Sequence, residues 1–313
     1  MKYGRARILT AAALAAVVIL LLLSARGGIF RPGAEVLFRF RLFRSLLGFL
    51  VGGSLALSGT VFQAVFRNPL ADPYILGISS GAAVGAAAVF VFVPASLLFL
   101  CVPAGAFAGA LATLAAVLVI SGSARSTDRL LLSGVVTGIV VSSMLIYLVS
   151  ISDSVQLAGV TWWILGDLQG GSPALLCVLG ALAAAALLST RFFANELNAL
   201  AVGDEAAAVR GVPVRKMRLF FVMLASLLAS SCVAAAGIIG FAGLVMPHIV
   251  RLLAGSDHRR ILLPAFLAGG CFLQLCDLLS VLFSGAKEMP VGVVSSCAGG
   301  ILFLFLLSRR RCA

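Results

Sequence analysis

Charge is scarce in this chain of 313 residues: 11% are Asp, Glu, Lys or Arg, against about 25% in a soluble domain. Water is therefore excluded as its main solvent. Histidine is scarcer still, with only His248 and His258, so a metal centre built on imidazoles is not expected and no cofactor is assigned to the chain. Lysine occurs as Lys2, Lys216 and Lys287, and none of the three follows a glycine. The phosphate-cradling loop G-x-x-x-x-G-K-[ST] requires that step, so energy from ATP would have to enter through another subunit. The seven cysteines form no C-x-x-C pair, and all except Cys312 fall in apolar stretches, where they read as small core residues. No Ser/His/Asp or Cys/His arrangement pairs a nucleophile with a base, so no catalytic residue is expected. No Pro/Ser-rich linker interrupts the pattern, which gives one polytopic domain over residues 1–313.

What is present is apolar length. Hydrophobic residues make up 62% of the chain and the mean hydropathy is +1.16. A membrane-spanning helix needs about 20 mostly apolar residues. Ten segments meet or approach this: 7 to 24, 44 to 65, 75 to 94, 97 to 121, 130 to 150, 173 to 190, 217 to 237, 240 to 254, 261 to 283 and 291 to 308. The expected fold class is an all-α membrane protein with about ten transmembrane helices in one bundle. The N-terminal run, behind Lys2, Arg5 and Arg7, is too apolar in length for a signal peptide, and Ser24-Ala25-Arg26 is a poor cleavage site. It reads as an uncleaved first span. Gly81-x-x-x-Gly85, Gly105-x-x-x-Gly109 and Gly134-x-x-x-Gly138 predict seams where helix backbones approach closely.

The formal charge of +12 does not point to nucleic acid, because the basic residues lie in short gaps between apolar runs rather than in one patch. With both termini in the cytoplasm, all 23 Lys and Arg except Arg26, Arg31, Arg39, Arg41, Arg44 and Lys287 fall on the cytoplasmic side. The positive-inside rule is obeyed, and the chain reads as a multi-pass protein of a bacterial or archaeal inner membrane, in contact with lipid. Five of the six exceptions lie between the first two spans. Such a basic rim either steers an acidic external partner or contacts lipid headgroups and solvent. Asp277 is the one carboxylate clearly inside a span, and a helix-pinning hydrogen bond is the expectation over a proton relay. His248, between Pro247 and Arg251 at a span end, is expected to be structural.

The longest cytoplasmic interruption, about 191–218, predicts two short helices broken at Gly203. Leu197, Leu200, Ala201, Ala207 and Val209 recur too often for a solvated loop, so the pair is expected to insert into a groove on a partner.

Within it, Glu205-Ala206-Ala207-x-x-x-Gly211 resembles the EAA-type coupling motif of ABC importer permeases. Four further stretches extend the resemblance: Arg41-Leu-Phe-Arg44; Ser58-Gly-x-x-x-Gln63 with Asn68-Pro-Leu-Ala-Asp-Pro-x-x-Leu-Gly77 and Ser80-Gly81-Ala82; Gly240-Phe-Ala-Gly-Leu-Val-Met-Pro247-His248-x-x-Arg251; and Glu288-Met-Pro290-Val-Gly292. In this order, from about residue 38 to 308, they resemble the FecCD family, permeases for iron siderophores, haem and cobalamin.

The resemblance implies a type II importer architecture of ten spans. A second permease copy is expected as partner, together with two ABC ATPases that use ATP and magnesium and a periplasmic or lipoprotein substrate-binding protein. Residue by residue, it implies ATPase coupling by Leu200, Gly203, Asp204, Glu205, Ala206, Ala207, Arg210 and Gly211. Arg41 and Arg44 would dock the binding protein, although Phe43 stands where the family usually has proline and Val281 where some members have a further arginine. Asn68 and Leu70, with Thr127 and Asp128, would form the cytoplasmic gate, although Asn68-Pro69 alone is explained by a turn, since proline drives the preceding residue out of the helical region. Structural roles fall to Pro69, Pro247, His248, Arg251, Asp277, Glu288 and Pro290, and Trp162 and Trp163 resemble a short helix near the outer face. A ferric siderophore is the expected cargo, with haem or cobalamin as alternatives. The competing reading is an ion-gradient-driven carrier or channel that works without an ATPase.

Overall fold

The computed structural model describes residues 34–122, 126–170, 172–283 and 289–309, with Ala16 alone before them. The expected first span, 7 to 24, lies outside the described residues, as do Arg26, Arg31, Arg125, Lys287, Glu288, Arg310 and Arg311. Among the described residues the chain forms twelve α-helices, a short 3-10 turn at Ala95–Leu97 and no strand. In order the helices are α1 (Ala34–Val65), α2 (Ile78–Phe92), α3 (Leu98–Ile120), α4 (Thr127–Ser150), α5 (Ser154–Ile164), α6 (Pro173–Phe192), α7 (Ala194–Val202), α8 (Asp204–Val209), α9 (Val214–Ala236), α10 (Ala242–Ala254), α11 (His258–Phe283) and α12 (Val291–Arg309). Six of them, α1, α3, α4, α6, α9 and α11, are long and apolar enough to cross a membrane, whereas α2, α10 and α12 are apolar but shorter.

Helix α1 begins ten residues before the segment read from hydropathy. Pro32 and Gly33 precede it, and no glycine or proline interrupts the chain again before Gly48, so nothing breaks the helix once it starts. Arg39, Arg41 and Arg44 therefore sit on the helix rather than on a connection between spans. α1 is also the centre of the bundle: 83% of its apolar stretch is buried, and α6, α9, α10 and α11 pack around it. The peripheral helices α3, α4 and α6 bury only 22–28% of theirs and present apolar flanks outward.

Glycine seams hold these helices at backbone contact. A Cβ on Gly52 of α1 would stand 2.3 Å from the Gly269 carbonyl oxygen of α11, and one on Gly85 of α2 would stand 2.0 Å from that of Gly105 in α3. The motifs Gly81-x-x-x-Gly85 and Gly105-x-x-x-Gly109 thus face one another. Gly134 and Gly138 do not meet another helix of the same kind; they admit the turn at Leu76–Gly77 that leads into α2. Close approach of this kind replaces the hydrophobic driving force that is missing between helices in lipid.

Between α9 and α10 the chain is irregular from Gly237 to Phe241, with φ of 69° at Gly237 and 66° at Phe241. Its carbonyls find partners inside the protein: the Tyr74 hydroxyl donates to that of Ile239 at 3.1 Å, and N–H groups at the head of α10 donate to those of Gly240 and Phe241. In α10, Pro247 lacks the N–H that would bond the Gly243 carbonyl. That oxygen lies against Gly59 of α1, where a Cβ would be 1.8 Å away.

Candidate functional site

Helix α11 joins the two ends of the bundle at which the expected site residues lie. His258 opens it and Asp277 lies near its close, about 28 Å further along the axis at 1.5 Å per residue.

At the His258 end, α6 runs almost directly into α7. Gly203, at φ 154°, breaks the backbone before α8, and Gly211, at φ 76°, turns it into α9. The two short helices expected from the sequence are therefore present. Of the five apolar residues expected to face a partner, only Val209 is fully exposed; three point the other way and Ala201 is half-buried. Leu197, Leu200 and Ala207 are buried in the chain's own core. Leu200 and Ala207 hold the unit to the bundle instead of facing a partner, because the apolar stripe of a helix is spent first on the nearest core. The outward surface consists of Val202, Glu205, Ala208, Val209, Arg210 and Gly211, with Val209 90% exposed and Ala206 half-buried. Asp204, at the first position of α8, pairs with Arg218 of α9 at 2.5 Å, their side chains 43% and 2% exposed. The guanidinium is thus sunk in the bundle, while its carboxylate partner reaches the surface.

Asn198 of α7 makes a second tie. Its Nδ2 donates to Asp257 Oδ1 at 2.9 Å, and its Oδ1 accepts from the His258 backbone N–H at 2.9 Å and from His258 Nδ1 at 2.7 Å. Burial pushes the Asp257 carboxyl up, but the Asn198 amide, the Arg259 N–H and the guanidinium groups of Arg260 and Arg259 outweigh it and hold the group below the ordinary carboxylate range.

The expected gate residues lie at this same end. Asn68 forms an Asx turn in which its Oδ1 accepts from the Leu70 N–H at 2.9 Å, leaving Leu70 and Pro69 exposed. Arg67, at φ 52°, places its guanidinium within 3.5 Å of where a Cβ on Gly203 would be, so this turn adjoins the α7–α8 unit. Ser126 caps α4 by accepting from the Arg129 N–H. Thr127 is buried behind the cap and Asp128 is exposed in the first turn. Asp72, further along the turn, accepts from the Tyr74 N–H at 2.8 Å, yet burial pushes its carboxyl up to about 6.

At the other end, Arg44 grips Asp277 through Nε at 2.9 Å and an NH2 group at 2.8 Å, both side chains being about one-eighth exposed. Arg41 lies one turn earlier and is half-buried. Arg44, Trp162, Trp163, Asp167, Met289 and Pro290 border a cavity of about 420 Å³ at this rim. Trp162 and Trp163 belong to α5, which starts with a capping box between Asp153 and Gln156. Pro290 accepts from the Val293 N–H at the head of α12. Back at the His258 end, Arg251 of α10 joins α1: its guanidinium bonds the Gln63 side chain and its Nε donates to the Pro247 carbonyl, while Gln63 Nε2 donates to the Leu244 carbonyl at 3.1 Å. His248 is buried, edge-on to Phe303.

A second cavity, of about 440 Å³, opens between α4 and the turn before α2. It is lined by Ser79, Ser80, Gly138, Ile139, Ser142 and Ser143 among others, with the Ser80 and Ser142 hydroxyls 2.9 Å apart. Sequence reading missed Ser142 and Ser143. The signal was available, since Gly134, Gly138 and Ser142 recur every four residues and so share one face of α4.

Comparisons with known proteins fit this layout. The chain is 40% identical over 281 residues to the hemin transport system permease protein HmuU of Yersinia pestis, covering 88% of this chain and 84% of that one. It is 38% identical over 293 residues to the vitamin B12 import system permease protein BtuC of Klebsiella pneumoniae, covering 92% and 85%. Its fold superposes with a TM-score of 0.88 on a metal-chelate type ABC transporter solved in an inward-facing conformation, at 28% identity and over 97% and 99% of the two chains. The model of the FecCD transport family matches residues 8–309, and the chain belongs to that family.

Proposed function

We propose that the chain is the membrane-spanning permease of an ATP-driven importer and that its cargo is a bulky metal chelate of the class that includes ferric siderophores, haem and cobalamin. The observation that carries this is the α7–α8 unit. It exposes Glu205, Val209, Arg210 and Gly211 at one end of the bundle while Asp204–Arg218 and a buried apolar stripe fix it to the spans. A surface held this firmly can transmit a push, and Glu205 and Gly211 are the residues of the EAA-type motif.

In this reading two ATPases, which hold the ATP and magnesium, grip α7–α8 on the cytoplasmic side, and both termini of the permease lie on that side. A binding protein delivers the chelate to the opposite rim, where Arg41 and Arg44 meet its carboxylates. Asn68, Leu70, Thr127 and Asp128 border the exit. A second copy covers the cavity between α2 and α4, because a hydroxyl-lined hollow flanked by the exposed Val135 and Ile139 is a poor surface to present to hydrocarbon. ATP binding then favours one of two arrangements of the dimer, and this difference in affinity moves the cargo. Pairing of Asp277 with Arg44 counts against a gradient-driven carrier that would use that carboxylate as a proton relay.

The test is co-purification in detergent with a co-expressed ATPase. The wild type is expected to hold the ATPase, and a Glu205→Arg, Gly211→Pro variant that still folds is expected to lose it. A chain that never retains an ATPase would overturn the proposal.

A further inference from the structure

The two short cytoplasmic helices are tied to different spans. α8 is tied to α9 by Asp204–Arg218, and α7 is tied to the head of α11 by Asn198. We propose that Asn198 is a positioning residue that converts movement of the ATPase-facing unit into movement of α11, which in turn bears on the Arg44–Asp277 pair at the outer rim. This inference rests on the importer reading above.

The geometry of the tie is specific. One amide group engages three groups on two consecutive residues: Asp257 Oδ1, His258 N–H and His258 Nδ1. An amide oxygen can only accept, so Nδ1 of His258 carries a proton there. Asp257 also caps α11 by accepting from the Arg259 N–H at 3.1 Å and pairs with Arg260 at 3.2 Å. Asn198 therefore holds the first turn of α11, the point from which force acts along the helix axis. Leu197 and Leu200 bury α7 nearby, but apolar contact is non-directional; directional hydrogen bonds are what fix the register.

The rest of α11 suits a strut. It is continuous from His258 to Phe283. It packs closely on α1, with Gly52 against Gly269, Phe49 edge-on to Phe266 and Gln274 Nε2 donating to Ser45, so a push on α11 carries α1 and its Arg44 along as one body. At its far end Asp277 holds Arg44 through two N–H groups. A shift of α11 thus alters the guanidinium that the binding protein is expected to meet, and docking there can be felt at α7 by the same route, since coupling free energy is reciprocal.

The experiment uses the full permease–ATPase complex in proteoliposomes, with the binding protein added, and compares basal with binding-protein-stimulated ATP hydrolysis. Asn198→Asp sets a carboxylate against Asp257. It is expected to leave assembly and basal hydrolysis within about twofold of wild type and to reduce stimulation at least tenfold. The exchange Asn198→Asp with Asp257→Asn rebuilds the tie itself, because the new carboxylate accepts from His258 and from the new amide, although it gives up the Arg259 N–H cap and the charge facing Arg260. It is expected to recover at least half of the stimulation. Asn198→Ser, which removes the tie without repulsion, should behave as Asn198→Asp does if the latter assembles poorly. Unchanged stimulation in the assembled Asn198→Asp complex, or no recovery in an assembled double variant, overturns the tie alone. A wild-type chain that binds no ATPase overturns the importer reading and the inference with it.

Discussion

Asp72 shows how far a single group can depart from what its neighbours in sequence suggest. Arg67 and Asn68 lie just before it in the chain, yet burial lifts the carboxyl to about 6. A raised carboxylate pKa means that the folded chain binds the proton more tightly than the unfolded one. Its contribution is therefore fully present below about pH 4, falls as the pH rises to about 6, and is level above. Asp72→Asn keeps the acceptor for the Tyr74 N–H and removes the titration. In detergent the stability difference between variant and wild type, followed through Tm, should grow from pH 4 to 6 and correspond to at most about 3 kcal/mol in favour of the variant; a difference independent of pH would contradict this. Other residues divide by how their partners are encoded. Asp277 stood out as the one deep carboxylate, but its partner Arg44 lies 233 residues away, and no local spacing announces such a pair. Asn198 gave no sign at all, since a lone asparagine in a short helix acquires meaning only when Asp257 and His258 are folded against it.

Among the elements, the glycine motifs were legible and their partners half so. Gly81, Gly85, Gly105 and Gly109 were readable as seams, and α2 and α3 do close upon one another there. Gly134 and Gly138 meet a turn because α4 faces the start of α2 rather than another small-residue stripe. Gly85→Val should force α2 from α3, since even a Cβ would lie 2.0 Å from the Gly105 carbonyl oxygen. The expected cost is about 3 kcal/mol or more, seen as loss of monodisperse protein in detergent. Gly170→Ala, where a Cβ meets nothing within 4 Å, should change little. Element boundaries were read less well. Hydropathy ended α1 at its first charged turn, whereas helix propensity and the absence of breakers carry it back to Ala34. Periodicity showed that α7 and α8 exist, but it could not say which way Leu200 and Ala207 face, because an apolar stripe fits a partner's groove and the chain's own core equally well.

For the molecule as a whole, the bundle places a hydroxyl-lined cavity on the flank of α4 and a basic rim some distance above it. Ser142→Phe would fill part of the 440 Å³ cavity. With the cavity facing the space between the two proposed copies, the cargo would pass along it, so uptake should fall at least tenfold while ATP hydrolysis by the assembled complex persists; unaltered uptake would show that the cargo does not pass there. The shortness of α10 has a different consequence, for how the chain enters the membrane. Its 13 residues extend about 20 Å, against the roughly 30 Å of a hydrocarbon core, so it is a weak stop signal for the translocon. The turn to α11 is only Gly255, Ser256 and Asp257. The two helices should therefore partition into lipid together as one hairpin, with α11 supplying the apolar length that α10 lacks. A topology reporter fused after Ala254 should give mixed orientations, whereas one fused after Phe283 should give a single orientation.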